Sequence, residues 1–166
     1  MALDLNDLNI TPRDGAYVYM PNTPQPHNCI VSDSVTDEAP LKAGDIVTLD
    51  NTSTNPYCPV VKKAAVTDAI FGVIPTDAIK DTYTAKQKVM VAIEGSYIYK
   101  TAAAAINQGV DLYFNANMQV TSTATAGNSI LGTANTAAAA ANDLVQVKLK
   151  FAKTQAAGCL LYTSDA

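Results

Sequence analysis

The side chains best suited to catalysis or metal binding are few in this sequence and widely spaced. His27 is the single histidine, and with Cys29 it forms an H-x-C pair that would begin a metal site if Cys58 joined it. Zinc sites normally carry paired ligands at C-x-x-C or H-x-x-x-H spacing, and neither spacing occurs here. A Ser-His-Asp or Cys-His arrangement would need the same lone imidazole, and no G-x-S-x-G segment is present. We therefore predict no catalytic nucleophile, no metal and no cofactor.

Carboxylates offer the second possible chemistry. Most of them stand in turn-like segments, where an aspartate side chain accepts hydrogen bonds from nearby backbone N–H groups. Glu94 and Asp111 could pair as the acid and base of a glycosidase, because that mechanism requires only two carboxylates at the right separation. The chain has no Trp and no aromatic-rich platform for a sugar. The sequence therefore favours a protein that is not an enzyme, with a small carboxylate-dependent hydrolase as the less favoured alternative.

Composition and charge narrow the class of partner. The chain has 166 residues, of which 48% are hydrophobic, enough for one compact domain with an appendage. Its net charge of -4, with 11 Lys and Arg and no basic cluster, argues against direct binding of nucleic acid. No stretch approaches the ~20 apolar residues of a membrane-spanning helix, and the beginning of the chain lacks the pattern of an export signal. The odd number of cysteines, 3, indicates a reducing compartment, with free thiols favoured over a Cys29–Cys58 bridge.

Short strands separated by turns dominate residues 41–151. Gly72 lies inside an apolar run, which is typical of a bulge or of a close approach of two backbones, and a second interior glycine, Gly95, suggests a strongly bent sheet. TAAAAINQG, residues 101–109, is the best helix candidate, with Gly109 as its C-terminal cap. The sequence thus predicts a mainly β fold, a small bent β-barrel or β-sandwich with one short helix. The segments that alternate apolar and polar residues, as half-buried strands do, are LKAGDIVTLD, AIFGVIPTDA, KVMVAIEGSYIYK, GVDLYFNANMQVT, SILGTANT and LVQVKLKF.

The two ends of the chain differ from this β-rich domain. Prolines at positions 12, 21, 24, 26 and 40 disfavour a continuous helix or a central strand, so residues 1–40 are predicted to be an extended N-terminal arm with edge strands at 16–20 and 29–31. Residues 152–166 are predicted to be a C-terminal tail. Its last part, CLLYTSDA (159–166), is similar to the translation of a transposase adapter used in sequencing libraries, so we expect that the natural ending has been replaced. The alternative is a genuine apolar tail.

Aromatic residues on strands are the candidate contact residues. Tyr97 and Tyr99 stand two apart and therefore share one face of their strand, while Ile98 and Lys100 occupy the other. Such a pair is either an interface hot spot or the half-buried rim of a core. The arm contains a short apolar piece that needs a body or a partner to pack on. The predicted interface residues are Tyr17, Val18, Tyr19, Met20, Tyr97 and Tyr99.

Taken in order, five segments resemble the phage capsid decoration, or structural cement, family. In that family a glycine-containing strand end precedes an alanine piece and a Q-G-x-x-(L/V)-Y-(F/W) turn, and an I-G-x-A segment leads to the closing strand. Gly95, Ala102–Ile106, Gln108–Phe114 and Leu131–Ala134 correspond to these features. The similarity covers about two thirds of the chain, and the arm has no counterpart. The segments are KAGDIVTLD (42–50), IFGVIPTDA (70–78), VMVAIEGSYIY (89–99), AAINQGVDLYF (104–114) and NSILGTANTAAAAANDLVQVKL (128–149).

The resemblance implies a non-enzymatic virion protein that binds the outer surface of a phage capsid and stabilises it. It further implies the major capsid protein as partner, self-association as a homotrimer or cluster, and assembly in the host cytoplasm, with neither nucleic acid nor membrane as a direct partner. Repeated weak contacts on a symmetric shell add through effective concentration, so no single strong site is required. We expect residues 1–40 to reach across adjacent capsid subunits while residues 41–151 protrude. The alternative structural role is a head-fibre or tail module that binds a host surface.

Overall fold

The computed structural model describes residues 12–18, 22–53, 55–77 and 79–154, and this part of the chain is mainly β, without a helix. The mainly β prediction is therefore confirmed. The strands in chain order are β1 (Tyr17–Val18), β2 (His27–Val31), β3 (Leu41–Lys42), β4 (Ile46–Leu49), β5 (Val60–Lys63), β6 (Gly72–Val73), β7 (Thr82–Tyr83), β8 (Lys88–Val91), β9 (Tyr97–Thr101), β10 (Asp111–Phe114), β11 (Val120–Thr121), β12 (Ser129–Ala134) and β13 (Leu144–Lys153).

The larger sheet has six antiparallel strands in the order β1-β9-β13-β12-β10-β11. Burial alternates along β9, where Ile98 and Lys100 are buried and Tyr97 and Tyr99 are half-buried. Successive side chains of a strand point to opposite faces, so this alternation sets the core side and the outer side of the sheet. The same pattern continues in β13, whose buried core residues are Val145, Val147 and Leu149.

The second sheet has five strands in the order β6-β4-β5-β2-β8, and a separate pair joins β3 to β7. β2 lies between β5, to which it is parallel, and β8, to which it is antiparallel. The prediction that residues 29–31 form an edge strand is therefore wrong. The prolines that suggested an edge lie outside β2, and all five residues of β2 keep the N–H groups needed for pairing on both sides.

Isolated bridges link residues near the two edges of each sheet. Ala102, directly after β9, pairs with Val120 of β11, and Val73 of β6 pairs with Ala92, directly after β8. Each sheet is thereby curled toward a barrel, as the predicted bent barrel requires. The buried apolar side chains form two clusters, and the larger cluster also contains Ile46 and Val73 of the second sheet. The two sheets therefore pack on one another.

The helix predicted at residues 101–109 is absent. Instead, the Ala102 N–H donates to Asp143 O at 2.8 Å, and the Ile106 N–H donates to Ala138 O at 2.9 Å. Ala102 and Ile106 are both buried in the larger cluster. Because a short alanine-rich helix is only marginally stable alone, this burial and pairing override its propensity. Gly109 has a positive φ of 86°, but it lies in a turn rather than at a helix end.

The two glycines within apolar runs have different roles. Gly72 is buried in β6, where a Cβ atom would overlap the carbonyl oxygen of Ala92. The predicted close approach of two backbones is therefore confirmed at this position. Gly95 does not lie inside a strand, because it occupies the turn between β8 and β9 with a φ of 94°. That left-handed conformation suits glycine and reverses the chain where we expected a bend within one strand.

Residues 12–18, which we call the strap, are fastened to the larger sheet. The Gly15 N–H donates to Tyr99 O at 2.7 Å, and the Tyr99 N–H donates to Ala16 O at 2.9 Å. Gly15 has a φ of 82°, and a Cβ atom there would lie 2.6 Å from Gly44 N, so only glycine fits. The edge strand predicted at 16–20 is therefore confirmed for Tyr17–Val18.

The predicted boundaries at residues 40 and 151 stay predictions. Within the predicted arm, β1 and β2 each pair with strands of the body. At the other end, β13 continues to Lys153. The adapter-like segment 159–166 lies outside the described residues.

Candidate interaction surfaces

The side chains with metal or nucleophile chemistry do not converge. His27 is exposed at the beginning of β2, and its ring packs edge-on against Phe71 with centroids 6.0 Å apart. Cys29 is buried, Cys58 is half-buried, and both are free thiols. Burial, and secondarily the nearby Cys58, raises the pKa of Cys29 to about 12, so its thiol is not a nucleophile at neutral pH. Within the described ranges, no group of three or more His, Cys, Asp or Glu side chains could hold a metal ion.

The two carboxylates of the hydrolase alternative lie apart. Glu94 Oε1 accepts a hydrogen bond from the Phe151 N–H at 3.0 Å, next to β13. Asp111 begins β10 and pairs with Thr133 of β12, which in turn pairs with Lys148 of β13, three residues before Phe151. Two strand spacings across the sheet and three residues along it amount to roughly 14 Å, whereas glycosidase carboxylates are separated by about 5–9.5 Å. The structure therefore does not bring this pair into one site.

Two buried carboxylates, those of Asp45 and Asp50, accept hydrogen bonds from backbone N–H groups of the turns beside β4. Asp50 accepts hydrogen bonds from the Ser32 hydroxyl and from the N–H and hydroxyl of Thr52, the last two at 3.0 and 2.7 Å. These hydrogen bonds, led by that of Ser32, lower the pKa of Asp50 to about 2. Asp45 accepts from the Lys42 N–H at 2.8 Å, while burial raises its pKa. Both side chains act on the backbone around β4 rather than on a substrate.

A charged pair that the sequence analysis did not identify fastens the strap. Lys100 is fully buried, and its Nζ lies 2.8 Å from Asp14 Oδ2 and 2.5 Å from Gly44 O. Asp14 Oδ1 also accepts a hydrogen bond from the Thr101 N–H at 2.6 Å. Burial lowers the pKa of Lys100, and the neighbouring Asp14 opposes that effect. The sequence does contain a sign of this pair, because the alternation of β9 places Lys100 on the same buried face as Ile98.

Tyr97 and Tyr99 lie with Val18 on the outer side of the larger sheet. Val18 is directly opposite Tyr97 in the β1–β9 pair. On the other side of β9, Lys148 is opposite Tyr97 and Gln146 is opposite Tyr99. Lys148 Nζ lies 6.0 Å from the centroid of the Tyr97 ring, a cation–π contact. We call these five residues the tyrosine face.

The other predicted interface residues are placed differently. Tyr17 lies opposite Ile98, and its side chain packs against the larger core cluster. Its hydroxyl donates to Pro24 O at 2.6 Å and lies 3.2 Å from Ser96 Oγ. Tyr17 therefore packs on the body of its own chain. Tyr19 and Met20 lie outside the described residues.

Lysines make one side of the tyrosine face basic. Lys148 and Lys150 alternate with buried residues of β13, and both are exposed. Neither ammonium lies within 4.0 Å of a carboxylate in the part of the chain that the structure describes. Asp111, the carboxylate of β10, is two strands from β13. This side of the larger sheet therefore carries two ammonium groups, that of Lys148 in the tyrosine face and that of Lys150 beside it, which no described carboxylate neutralises by contact.

The loop between β2 and β3 carries the opposite charge. Asp33, Asp37 and Glu38 are exposed, and none of them forms an ion pair with another described residue. Two buried residues anchor the loop, since the Val35 N–H donates to Ser32 O at 3.1 Å. We call residues 33–38 the acidic loop. It belongs to the second sheet, whereas the tyrosine face belongs to the larger sheet.

The fold and these surfaces define a class of protein, a β-rich body that presents aromatic and charged surfaces on two curled sheets. Residues 25–149 match the phage cement protein family. The chain therefore belongs to the phage cement protein family, and the resemblance read from the sequence is confirmed. Membership implies a structural role at the phage capsid.

Three further findings accompany the family match. The family match begins at residue 25, so it includes β2 and part of the region predicted as an arm. No curated protein matches the chain. Within the ranges that the structure describes, no helix has the length and apolar character needed to cross a membrane.

Proposed function

We propose that this protein is a non-enzymatic cement protein that binds the outer surface of a phage capsid and stabilises the shell. The observation that carries the proposal is the family match over residues 25–149, which covers strands of both sheets. The separation of Glu94 from Asp111 supports it, because these are the two carboxylates that the alternative hydrolase would have to pair. The major capsid protein is the proposed partner.

The tyrosine face suits a role that consists of contact alone. Tyr97 and Tyr99 lie on a strand that is paired on both sides, and tyrosine has only two χ angles to order when a partner covers it. Tyrosine supplies a large apolar area together with a hydroxyl, which is why it is enriched at binding hot spots. Many copies on a symmetric shell multiply a weak contact through effective concentration. We therefore propose Val18, Tyr97 and Tyr99 as interface residues.

The reach of the N-terminal region across neighbouring subunits is also a proposal. In the described part, residues 12–18 and 22–40 supply β1 and β2 to the body. A reaching segment would therefore consist of residues 1–11, which lie outside the described residues. The strap fixes the place where such a segment joins the body, because Asp14 is held by Lys100 and Thr101.

Capsids that lack the protein provide the test. Purified full-length chain is added to expanded capsids, unbound chain is removed, and the bound copies are counted by gel densitometry and located by electron cryomicroscopy. We expect saturable binding on the outer surface and a higher temperature of capsid disruption at saturation. Absence of binding, or binding that leaves the disruption temperature unchanged, would contradict the proposed function.

A further inference from the structure

We propose that the side chains of Lys100 and Asp14 join in an amide bond, which fastens the strap to β9 covalently. The ion pair seen in the structure is the reactant state of this step. The inference goes beyond the proposed function, because it concerns a single-turnover reaction within one chain and requires no capsid. It is carried by the approach of the two groups, by the contacts that hold them and by the burial of the amine.

The two reacting groups are already close together. Lys100 Nζ lies 2.8 Å from Asp14 Oδ2. Because Cγ lies one C–O bond, about 1.2 Å, beyond that oxygen, the nitrogen is at most about 4 Å from the carbon that it attacks. Reactive geometries place the two atoms about 3–3.5 Å apart, and such proximity is equivalent to effective concentrations of about 10⁵–10⁸ M. A small shift of the lysine side chain is therefore sufficient.

Backbone groups hold both reactants in place. Gly44 O accepts a hydrogen bond from Lys100 Nζ at 2.5 Å, and the Thr101 N–H donates to Asp14 Oδ1 at 2.6 Å. When the nitrogen attacks Cγ, negative charge develops on Oδ1, where this N–H already points, as in an oxyanion hole. Gly44 also leaves room for the two groups, since a Cβ atom there would overlap Asp14 Oδ2 and lie 3.4 Å from Lys100 Nζ.

Burial favours the reactive form of the amine. Lys100 is fully buried, and burial lowers its pKa; the charges of Asp14 and Asp45 oppose this effect, and that of Lys63 adds to it. A desolvated lysine that gives up its proton is a nucleophile. Transfer of one proton from Nζ to Oδ2 produces a neutral amine beside a carboxylic acid without changing the net charge. A site that hydrates charges poorly favours this neutral pair more than water does.

The step then balances without an oxidant or a cofactor. The amine nitrogen attacks Cγ, the new N–C bond forms, and the electron pair of the C=O bond moves to Oδ1. The nitrogen passes a second proton to Oδ2, the Cγ–Oδ2 bond breaks, and Oδ2 leaves as water while the electron pair returns from Oδ1. One ammonium and one carboxylate thus become one amide and one water. Because the Asp14 side chain is 33% exposed, water stabilises its charged form, so we expect bond formation to be slow compared with folding.

Intact mass spectrometry of the full-length chain tests the inference. The mass is measured directly after purification and during several weeks of storage of the folded protein. We expect a species lighter by one water molecule to accumulate. A protease that cleaves after lysine should then release residues 1–42 joined to residues 89–148, because an acylated Lys100 resists cleavage. A wild-type chain that keeps its full mass throughout would overturn the inference.

The linked peptide is the decisive product, because Asp14 precedes Gly15 and cyclisation to a succinimide would also release one water. Loss of water without the linked peptide would therefore overturn the inference too. Lys100→Met should abolish the link, whereas Lys63→Met, the control, should keep it, since Lys63 is half-exposed and pairs with Asp45 at 3.9 Å. Circular dichroism verifies that each variant is folded.

Freshly purified chain of full mass retains the unreacted ion pair and is the reference for any measurement of its strength. The capsid-binding experiment uses a separate readout, the number of bound copies. A chain without the amide bond that still binds capsids would contradict only this inference, whereas a linked chain that does not bind would contradict only the proposed function.

Discussion

Replacing Asp14 with asparagine tests whether charge holds the strap in place. Asparagine keeps the size of the side chain and an oxygen for the Thr101 N–H, but it removes the negative charge 2.8 Å from the buried Lys100 Nζ. Removing one partner of a buried ion pair costs about 3–5 kcal/mol, because the remaining charge is uncompensated. The Asp14 side chain is 33% exposed, so water screens part of the interaction. We therefore expect a loss of about 3 kcal/mol in the free energy of unfolding.

Lys100→Met separates the charge from the packing. Methionine fills a similar volume without a charge, and Asp14 can still be solvated because it is partly exposed. The carbonyl of Gly44 loses its ammonium donor, so we expect a smaller loss of about 1 kcal/mol. Combining both substitutions should be less destabilising than Asp14→Asn alone, because no uncompensated lysine remains in the core.

Urea unfolding followed by far-ultraviolet circular dichroism measures these differences, since the chain has no Trp. For a chain of this size, a loss of about 3 kcal/mol corresponds to a Tm lower by about 6–12 °C. Arg13→Gln is the matched control, because the Arg13–Asp81 pair is exposed, with side-chain exposures of 58% and 64%. It should change stability by less than about 1 kcal/mol. An Asp14→Asn variant as stable as Arg13→Gln, or strictly additive effects of the two core substitutions, would refute the reasoning.

Three other predictions follow from the buried groups and the glycines. The hydrogen bonds of the Asp50 carboxylate stabilise the fold fully above its ordinary pKa of 3.8, and this stabilisation is lost as the pH falls to about 2. In Asp50→Asn, the Tm should therefore depend less on pH between these two values. At pH 8, Cys58 should react with a thiol reagent, whereas the buried Cys29 should stay unmodified until the protein unfolds. Peptide mass mapping measures both reactions, and equal rates would contradict the burial of Cys29. Gly132→Ala should lower the free energy of unfolding, measured with urea, by about 3 kcal/mol, because its Cβ would overlap the Lys148 carbonyl oxygen of β13. Gly109→Ala, in open space, should lower it by about 1 kcal/mol. Similar losses for the two variants would contradict the packing at Gly132.

The strand pattern of the larger sheet was predictable in β9, because the type of each residue there indicates which face of the sheet it occupies. Tyr97, Ile98 and Tyr99 alternate in the sequence and alternate in burial. The alanine run at 101–109 was not predictable in the same way, since its helix propensity is real but weak. What decides its structure is Ala102 and Ile106 pairing with residues that are remote in sequence.

The candidate surfaces were predictable only in part. The shared face of Tyr97 and Tyr99 follows from their spacing, and the pairing confirms that they share it with Val18. Their neighbours Lys148 and Gln146 depend on the register between β9 and β13, which spacing within one strand does not specify. Nearby prolines suggest an edge position for residues 29–31, but β2 itself contains no proline and pairs on both sides.

The strap also dictates an order of events during folding. Asp14 and Lys100 are 86 residues apart in sequence, and β1 pairs only with β9. The strap is synthesised before the other described residues and must therefore wait for β9 before it can dock. Pairings between such distant segments are characteristic of slowly folding β proteins. The earliest-synthesised described residues are thus expected to be among the last to reach their final position.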